Sequence, residues 1–239
     1  MMYVKENKRK TYLICGFISM LLCGVSDCLL SYMGDGEPYV LGGMVSANIV
    51  DEPLWYYMVS FVIGIIAAVG YYLASRAACS YISDKIDISI SKTYKAFSFG
   101  TTMMSVGIFG IHSICCMALM NVRAALLAGA SADMIEKYFT ESALIPFMVG
   151  TLWQTTADLI AGIAFIIMVC KRQVAISRGW ITMGPLVLYV ICQLLGKLLP
   201  QITGNDIFAH VTGGGESWGL AFMFLAFCFA CRKKADNTK

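Results

Sequence analysis

Six long apolar segments recur along this chain, and they limit its fold more than any other feature. A helix needs about 20 apolar residues to cross the hydrocarbon core of a bilayer. Segments of this kind cover residues 11–33, 54–75, 96–120, 143–170, 181–199 and 207–231. Charged residues make up only 14% of the chain, well below the level typical of soluble domains. We therefore predict a single integral membrane domain over residues 1–239, an all-α bundle of six transmembrane helices.

Two segments depart from a simple span. Residues 217–231 alone are too short to cross a bilayer, so residues 207–216 are predicted to enter it as well, with Asp206 as the helix N-cap. Within that stretch the run 213–215 is all glycine, and because each glycine costs about 1 kcal/mol in a helix interior, we predict a kink or break there. The third helix is predicted to continue past the bilayer into a short amphipathic segment at 131–138.

Lysine and arginine residues predict the orientation of the helices. Fifteen of the 18 fall in the termini and in the second-to-third and fourth-to-fifth connections, at residues 5–10, 76–95, 171–178 and 232–239. By the positive-inside rule these regions face the cytoplasm. Both termini are therefore predicted to be cytoplasmic in a multi-pass protein of the cell membrane. We expect the basic side to contact membrane lipids, and we expect no nucleic-acid partner.

The ten cysteines do not form a recognisable framework. None lies in a predicted outer loop, where a disulfide would be expected, and C-x-x-C spacing occurs once, at Cys228 and Cys231. We interpret the cysteines as small buried hydrophobic residues.

Polar side chains inside the spans are the candidate functional residues, because an ionisable group in the hydrocarbon region is costly unless it is paired or solvated. When polar residues of several helices lie at the same depth in the membrane, they can be hydrogen-bonded only if the helices turn them toward a common interior. Most of these residues lie between the midplane and the outer side. The sequence therefore predicts a polar cavity open to the outside, lined by Asp27, His112, Gln154, Asp158, Gln193, Lys197, His210 and Glu216.

Several of these residues can instead have a purely structural role. Asp27 can pair with Lys197, and Asp158 can be a protonated acid that bonds Gln154 or a threonine. His112 can be a satisfied packing residue, and Glu216 can lie at the membrane interface beside the glycine run.

Two resemblances rest on short motifs. Ala209, His210 and Gly213 follow the A-H-x-x-G pattern of the last catalytic helix of rhomboid intramembrane proteases, but residues 150–156 lack the serine of their G-x-S-G motif, so no serine dyad is predicted. Residues 24–32 resemble a G-D-x-L-L-x-Y-like element in an uncharacterised family of bacterial six-helix integral membrane proteins. That resemblance implies the six-helix architecture and a role for Asp27, and the family carries no activity to transfer.

The polar residues favour a non-enzymatic protein that binds or passes a small solute, proton or ion through the cavity, without a cofactor. The first alternative is a metal-dependent hydrolase that acts on lipid-like substrates at the outer leaflet. Its zinc ligands would come from Asp27, His112, Asp158, His210 and Glu216. The second alternative is a non-catalytic subunit of a larger membrane complex, packed against a partner through Gly107 and Gly110 or Ala157 and Ala161.

Overall fold

The structure is a computed structural model that describes residues 3–34, 36–204 and 207–236, so Asp206 and its predicted cap lie outside it. The predicted all-α class is confirmed. The helices are α1 (Glu6–Leu30), α2 (Leu54–Ser83), α3 (Lys92–Leu127), α4 (Ala132–Ser142), α5 (Leu144–Cys170), α6 (Pro185–Thr203), α7 (Ile207–His210) and α8 (Gly215–Asp236). Within the described residues, six helical stretches are long and apolar enough to cross a membrane, as predicted.

The sixth of these stretches, Phe208–Cys231, is interrupted where the glycines fall. Helix α7 ends at His210, a 3-10 turn covers Val211–Gly214, and α8 begins at Gly215. The predicted break is therefore confirmed, and its form is a tightened turn rather than an open loop. The turn has a packing reason as well, because a Cβ on Gly213 or Gly214 would lie 2.8 or 2.7 Å from backbone oxygens of α1.

A small β-hairpin between α1 and α2 was not predicted from the sequence. Strand β1 (Pro38–Val40) pairs antiparallel with β2 (Val45–Ser46), and a 3-10 turn at Ala47–Val50 follows. The backbone N–H of Gly42 donates a 2.8 Å hydrogen bond to Glu136 of α4. The Arg123 guanidinium of α3 donates to the carbonyls of Val50 and Glu52, each at 3.0 Å. The hairpin, α3 and α4 are thus joined into a cap at one end of the bundle.

Helices α3 and α4 follow the predicted order. Helix α3 continues to Leu127, Gly129 reverses the chain with φ +82°, and the Ser131 hydroxyl caps α4 by accepting from the backbone N–H of Met134. Among the residues of α4 only Ile135 is buried, as expected of an amphipathic helix that lies on the bundle.

Small residues bring the long helices close together. Helix α1 packs against α2 and α8, α3 packs against α2 and α5, and α6 packs against α8. Gly100 of α3 faces the fully buried Ala157 and Ala161 of α5. These two alanines were predicted to form a surface for a partner protein. They instead pack against α3 inside the bundle, where small side chains allow the two helix backbones to approach.

Candidate functional site

A cavity of about 340 Å³ lies at the capped end of the bundle, between α1, α3, α5 and the start of α8. Its polar lining consists of Asp27, Ser31, His112, Gln154, Glu216 and Ser217. Its apolar lining includes Leu41 and Val45 of the hairpin, Phe139 of α4 and Phe147 of α5. Among the described residues that line it, none is Lys or Arg. The cavity therefore places two carboxylates and one imidazole beneath an apolar cap.

Asp27 and His112 form the central pair of the cavity. His112 is only 6% exposed, and its Nε2 lies 2.9 Å from the backbone carbonyl oxygen of Ser60. A carbonyl only accepts, so Nε2 carries the hydrogen and donates it. The hydroxyls of Ser26 and Ser60 lie 3.3 and 3.2 Å from the same nitrogen.

Because Nε2 donates to Ser60, Nδ1 is the ring nitrogen of His112 that faces Asp27. Nδ1 of His112 lies 3.1 Å from Oδ1 of Asp27. Without a proton on Nδ1, a lone pair would face a carboxylate oxygen at that distance. A hydrogen carried by one of the two groups, or a bound cation, must lie between Asp27 and His112 to hold them at this distance.

Asp27 has two further partners. The Ser217 hydroxyl of α8 donates a 2.6 Å hydrogen bond to Oδ2 of Asp27, and the Cys23 thiol lies 4.0 Å from the same oxygen. The pair with Lys197 that the sequence left open does not form, because Lys197 is exposed on α6. The Asp27 side chain remains 21% exposed, so the cavity reaches it.

Glu216 is held by α5 rather than by α1. The Gln154 side-chain amide donates a 2.7 Å hydrogen bond to its carboxylate, and the absence of a side chain at Gly107 makes room for the Gln154 amide. Glu216 is therefore not a simple interfacial residue. The alternative bond between Gln154 and Asp158 does not form: Oε1 of Gln154 and Oδ1 of Asp158 are both buried without a hydrogen-bond partner.

His210 lies on the α1 side of the interrupted helix. Its ring stacks on Tyr32 with centroids 4.0 Å apart and an angle of 12° between planes, and Nδ1 lies 3.0 Å from the Ser31 hydroxyl. His210 and Ser217 thus both bond α1, at Ser31 and Asp27, while Glu216 faces α5.

The chain matches a model described as "Family of unknown function (DUF6796)" over residues 3–234. It belongs to this family. No curated protein and no solved structure matches it. Membership in DUF6796 confirms the expectation of an uncharacterised family, whereas a bacterial origin and the motif at residues 24–32 stay predictions. The DUF6796 match includes every polar residue of the cavity.

In this DUF6796 chain, four of the eight predicted site residues share the cavity, namely Asp27, His112, Gln154 and Glu216. The other four do not line it: Asp158 is buried on α5, Gln193 and Lys197 lie on α6, and His210 stacks on Tyr32. The five predicted metal ligands accordingly do not form one group.

Sequence reasoning missed Cys23 as a functional candidate. Its Sγ, a carboxylate oxygen of Asp27 and a ring nitrogen of His112 all lie within 4.8 Å of one another. All ten cysteines are free thiols, as predicted. The available indication was the position of Cys23 one helical turn before Asp27, which places both side chains on one face.

Proposed function

We propose that this protein is a multi-pass protein of the cell membrane that binds a small cation in the cavity around Asp27. The six apolar helices support membrane insertion. The clustering of Lys and Arg supports cytoplasmic termini and an outer position for the capped end of the bundle. With this orientation, which stays a prediction, the cavity faces the outer side.

The composition of the cavity lining favours a cation as the ligand. Asp27 and Glu216 line the same cavity, and no lysine or arginine lines it among the described residues. A carboxyl group in an apolar setting either takes up a proton or pairs with a positive charge, so this lining favours a cation over an anion. His112 supplies that charge to Asp27 when it is protonated, so a solute cation and the proton compete for one carboxylate. Binding of the cation and release of the proton are thereby coupled.

Titration calorimetry with ethylammonium tests this function, with acetate as a small anion for comparison. The full chain, purified in detergent, should bind ethylammonium and release protons, and it should not bind acetate. Asp27→Asn removes the charge and should abolish binding. Lys197→Gln is the matched control, because Lys197 is exposed and lies apart from the cavity. Equal binding of the two ions, or unchanged binding in Asp27→Asn, would contradict the proposal.

The two alternative functions stay predictions. Of the five predicted metal ligands, Asp27, His112 and Glu216 line one cavity, but only Asp27 and His112 are in direct contact, so a metal-dependent hydrolase would need a further ligand. A non-catalytic subunit would need a surface other than Ala157 and Ala161, which are buried between α3 and α5. Gly110 has open space where a Cβ would be, and α6 is the least buried span, so both remain available to a partner.

A further inference from the structure

We propose that Cys23, Asp27 and His112 bind a transition-metal cation of the zinc class. The Cys23 thiolate, an Asp27 carboxylate oxygen and Nδ1 of His112 are the ligands. The inference rests on the cation-binding function proposed above and names the class of cation for the same site.

The distances suit one metal ion. The three ligand atoms lie within 4.8 Å of one another, and Asp27 and His112 already approach to 3.1 Å. Zinc bonds of about 2.0–2.3 Å in a tetrahedral site place two ligand atoms about 3.5 Å apart. Cys23 and Asp27 are one turn apart on a single helix, so a rotation of the Cys23 side chain closes the remaining gap.

The hydrogen bonds around His112 favour a metal ligand. Histidines that bind metals almost always donate their second ring N–H to a carbonyl or carboxylate, which fixes the ring and its tautomer. His112 does this through Nε2, which donates to the carbonyl of Ser60. Nδ1 is left to face Asp27 and Cys23. Asp27 is oriented in turn by the hydroxyl of Ser217. Ser217 bonds Oδ2 of Asp27, so Oδ1 is the oxygen that faces Nδ1 of His112.

The donor set selects the type of metal. Thiolate and imidazole together suit zinc, cobalt or copper, whereas magnesium and calcium prefer sites made of oxygen atoms alone. Cys23 is 2% exposed, so the thiolate is shielded from bulk water. Asp27 faces the cavity, which leaves a fourth coordination position for water or a solute. Three protein ligands with one open position is the arrangement of zinc sites that act on a ligand rather than of purely structural ones.

Cobalt titration tests the site directly, because a thiolate bound to Co²⁺ gives a charge-transfer band in the near ultraviolet. Full-length protein in detergent is stripped with a chelator and titrated with Co²⁺. We expect one cobalt ion per chain with that band. Cys23→Ser should remove the band and weaken binding at least about tenfold. Cys115→Ser is the matched control, since Cys115 lines the same cavity outside the ligand group and should behave as wild type.

The outcomes separate the metal site from the proposed function. If Cys23→Ser still binds ethylammonium, the variant is folded and its cavity still binds a cation. Loss of the cobalt band in that protein then supports the metal site. An unchanged band in Cys23→Ser, or no cobalt bound by wild type, overturns the metal site but leaves the ethylammonium result standing. If wild type binds no ethylammonium, the binding of a solute cation proposed above is overturned, and the cobalt band alone decides the metal site.

Discussion

Ser217 donates a 2.6 Å hydrogen bond to Asp27, although 190 positions separate the two residues in the chain. The bond joins the start of α8 to α1 at the base of the cavity. The close approach depends on the glycine run, because a Cβ on Gly213 would lie 2.8 Å from the Asp27 carbonyl oxygen. The glycines that interrupt the sixth span are thus also what brings Ser217 and Glu216 to the cavity.

Removal of that bond should destabilise the bundle. Ser217→Ala leaves Oδ2 of Asp27 without its closest donor, and we expect a loss of about 1–3 kcal/mol of folding free energy. Thermal unfolding in detergent measures the effect. Ser142→Ala is the matched control, because Ser142 is exposed and bonds only its own helix. Equal melting temperatures for the two variants would show that the Ser217 bond does not hold α8 to α1.

Gly64 makes room for the His112 ring, and its replacement should disturb the site without removing any functional group. A Cβ at Gly64 would overlap the imidazole of His112. We expect Gly64→Ala to cost about 1–3 kcal/mol in stability and to reduce the proton release that accompanies ethylammonium binding, because His112 must move away from Asp27. The melting temperature and the calorimetric titration measure the two effects.

Gly110→Ala is the comparison for Gly64→Ala. Gly110 also lies in a long helix, but nothing lies within 4 Å of a Cβ built there. Alanine is the better helix former, so this variant should be neutral or more stable by up to about 1 kcal/mol. A similar drop in proton release in both variants would mean that the effect at Gly64 does not pass through His112.

A buried ion pair lies at the predicted cytoplasmic end of the bundle, away from the polar cavity. The guanidinium of Arg9, 3% exposed, lies 2.6 Å from the Asp84 carboxylate and also bonds the backbone carbonyl of Val4 at 3.0 Å. Asp84→Asn removes the counter-charge from a buried cation. We expect it to destabilise the protein by about 2 kcal/mol in thermal unfolding.

Asp87→Asn is the matched control for Asp84→Asn. The hydroxyl and backbone N–H of Ser89 lower the pKa of Asp87, and both can still bond an asparagine side-chain oxygen. Because Asp87 is exposed and contacts no buried charge, the melting temperature should stay at the wild-type value. If Asp84→Asn also unfolds at that temperature, the ion pair does not stabilise the junction of α1 and α2.

The orientation of the chain gives a prediction of its own. A fluorescent reporter that matures only in the cytoplasm should fluoresce when it is fused after residue 239, and it should stay dark when it is inserted in the loop at residues 129–131. The basic clusters drive this topology. The reverse pattern of fluorescence would place the cavity on the cytoplasmic side.

Hydropathy predicted the helices well because spanning length is a strong requirement. The ends were less accurate: α2 continues past residue 75 to Ser83, and α3 begins at Lys92 rather than at residue 96, since polar residues next to the apolar run still form helix. The hairpin at residues 38–46 was missed because its strands are only two or three residues long, and their pairing depends on the cap formed with α3 and α4.

The candidate site could be predicted only in part. Asp27 and His112 were found because ionisable residues are rare in apolar helices. Which of them meet depends on helix rotation and packing, and these are not visible in one sequence. Asp158 lies one turn from Gln154 on α5, yet Gln154 reaches the cavity and Asp158 does not. Cys23 was missed because a cysteine in a membrane helix is usually only a small hydrophobic residue.

The labelling of Cys115 from the outer side tests the central claim most directly. Cys115 lines the cavity, so a membrane-impermeant thiol reagent added to right-side-out vesicles should modify it, and ethylammonium should slow that reaction. Cys115→Ser gives the background, and Asp27→Asn should be labelled at a rate that ethylammonium does not change. If Cys115 is not labelled from outside, or if ethylammonium has no effect on the wild-type rate, the cavity is not an outward-facing cation site.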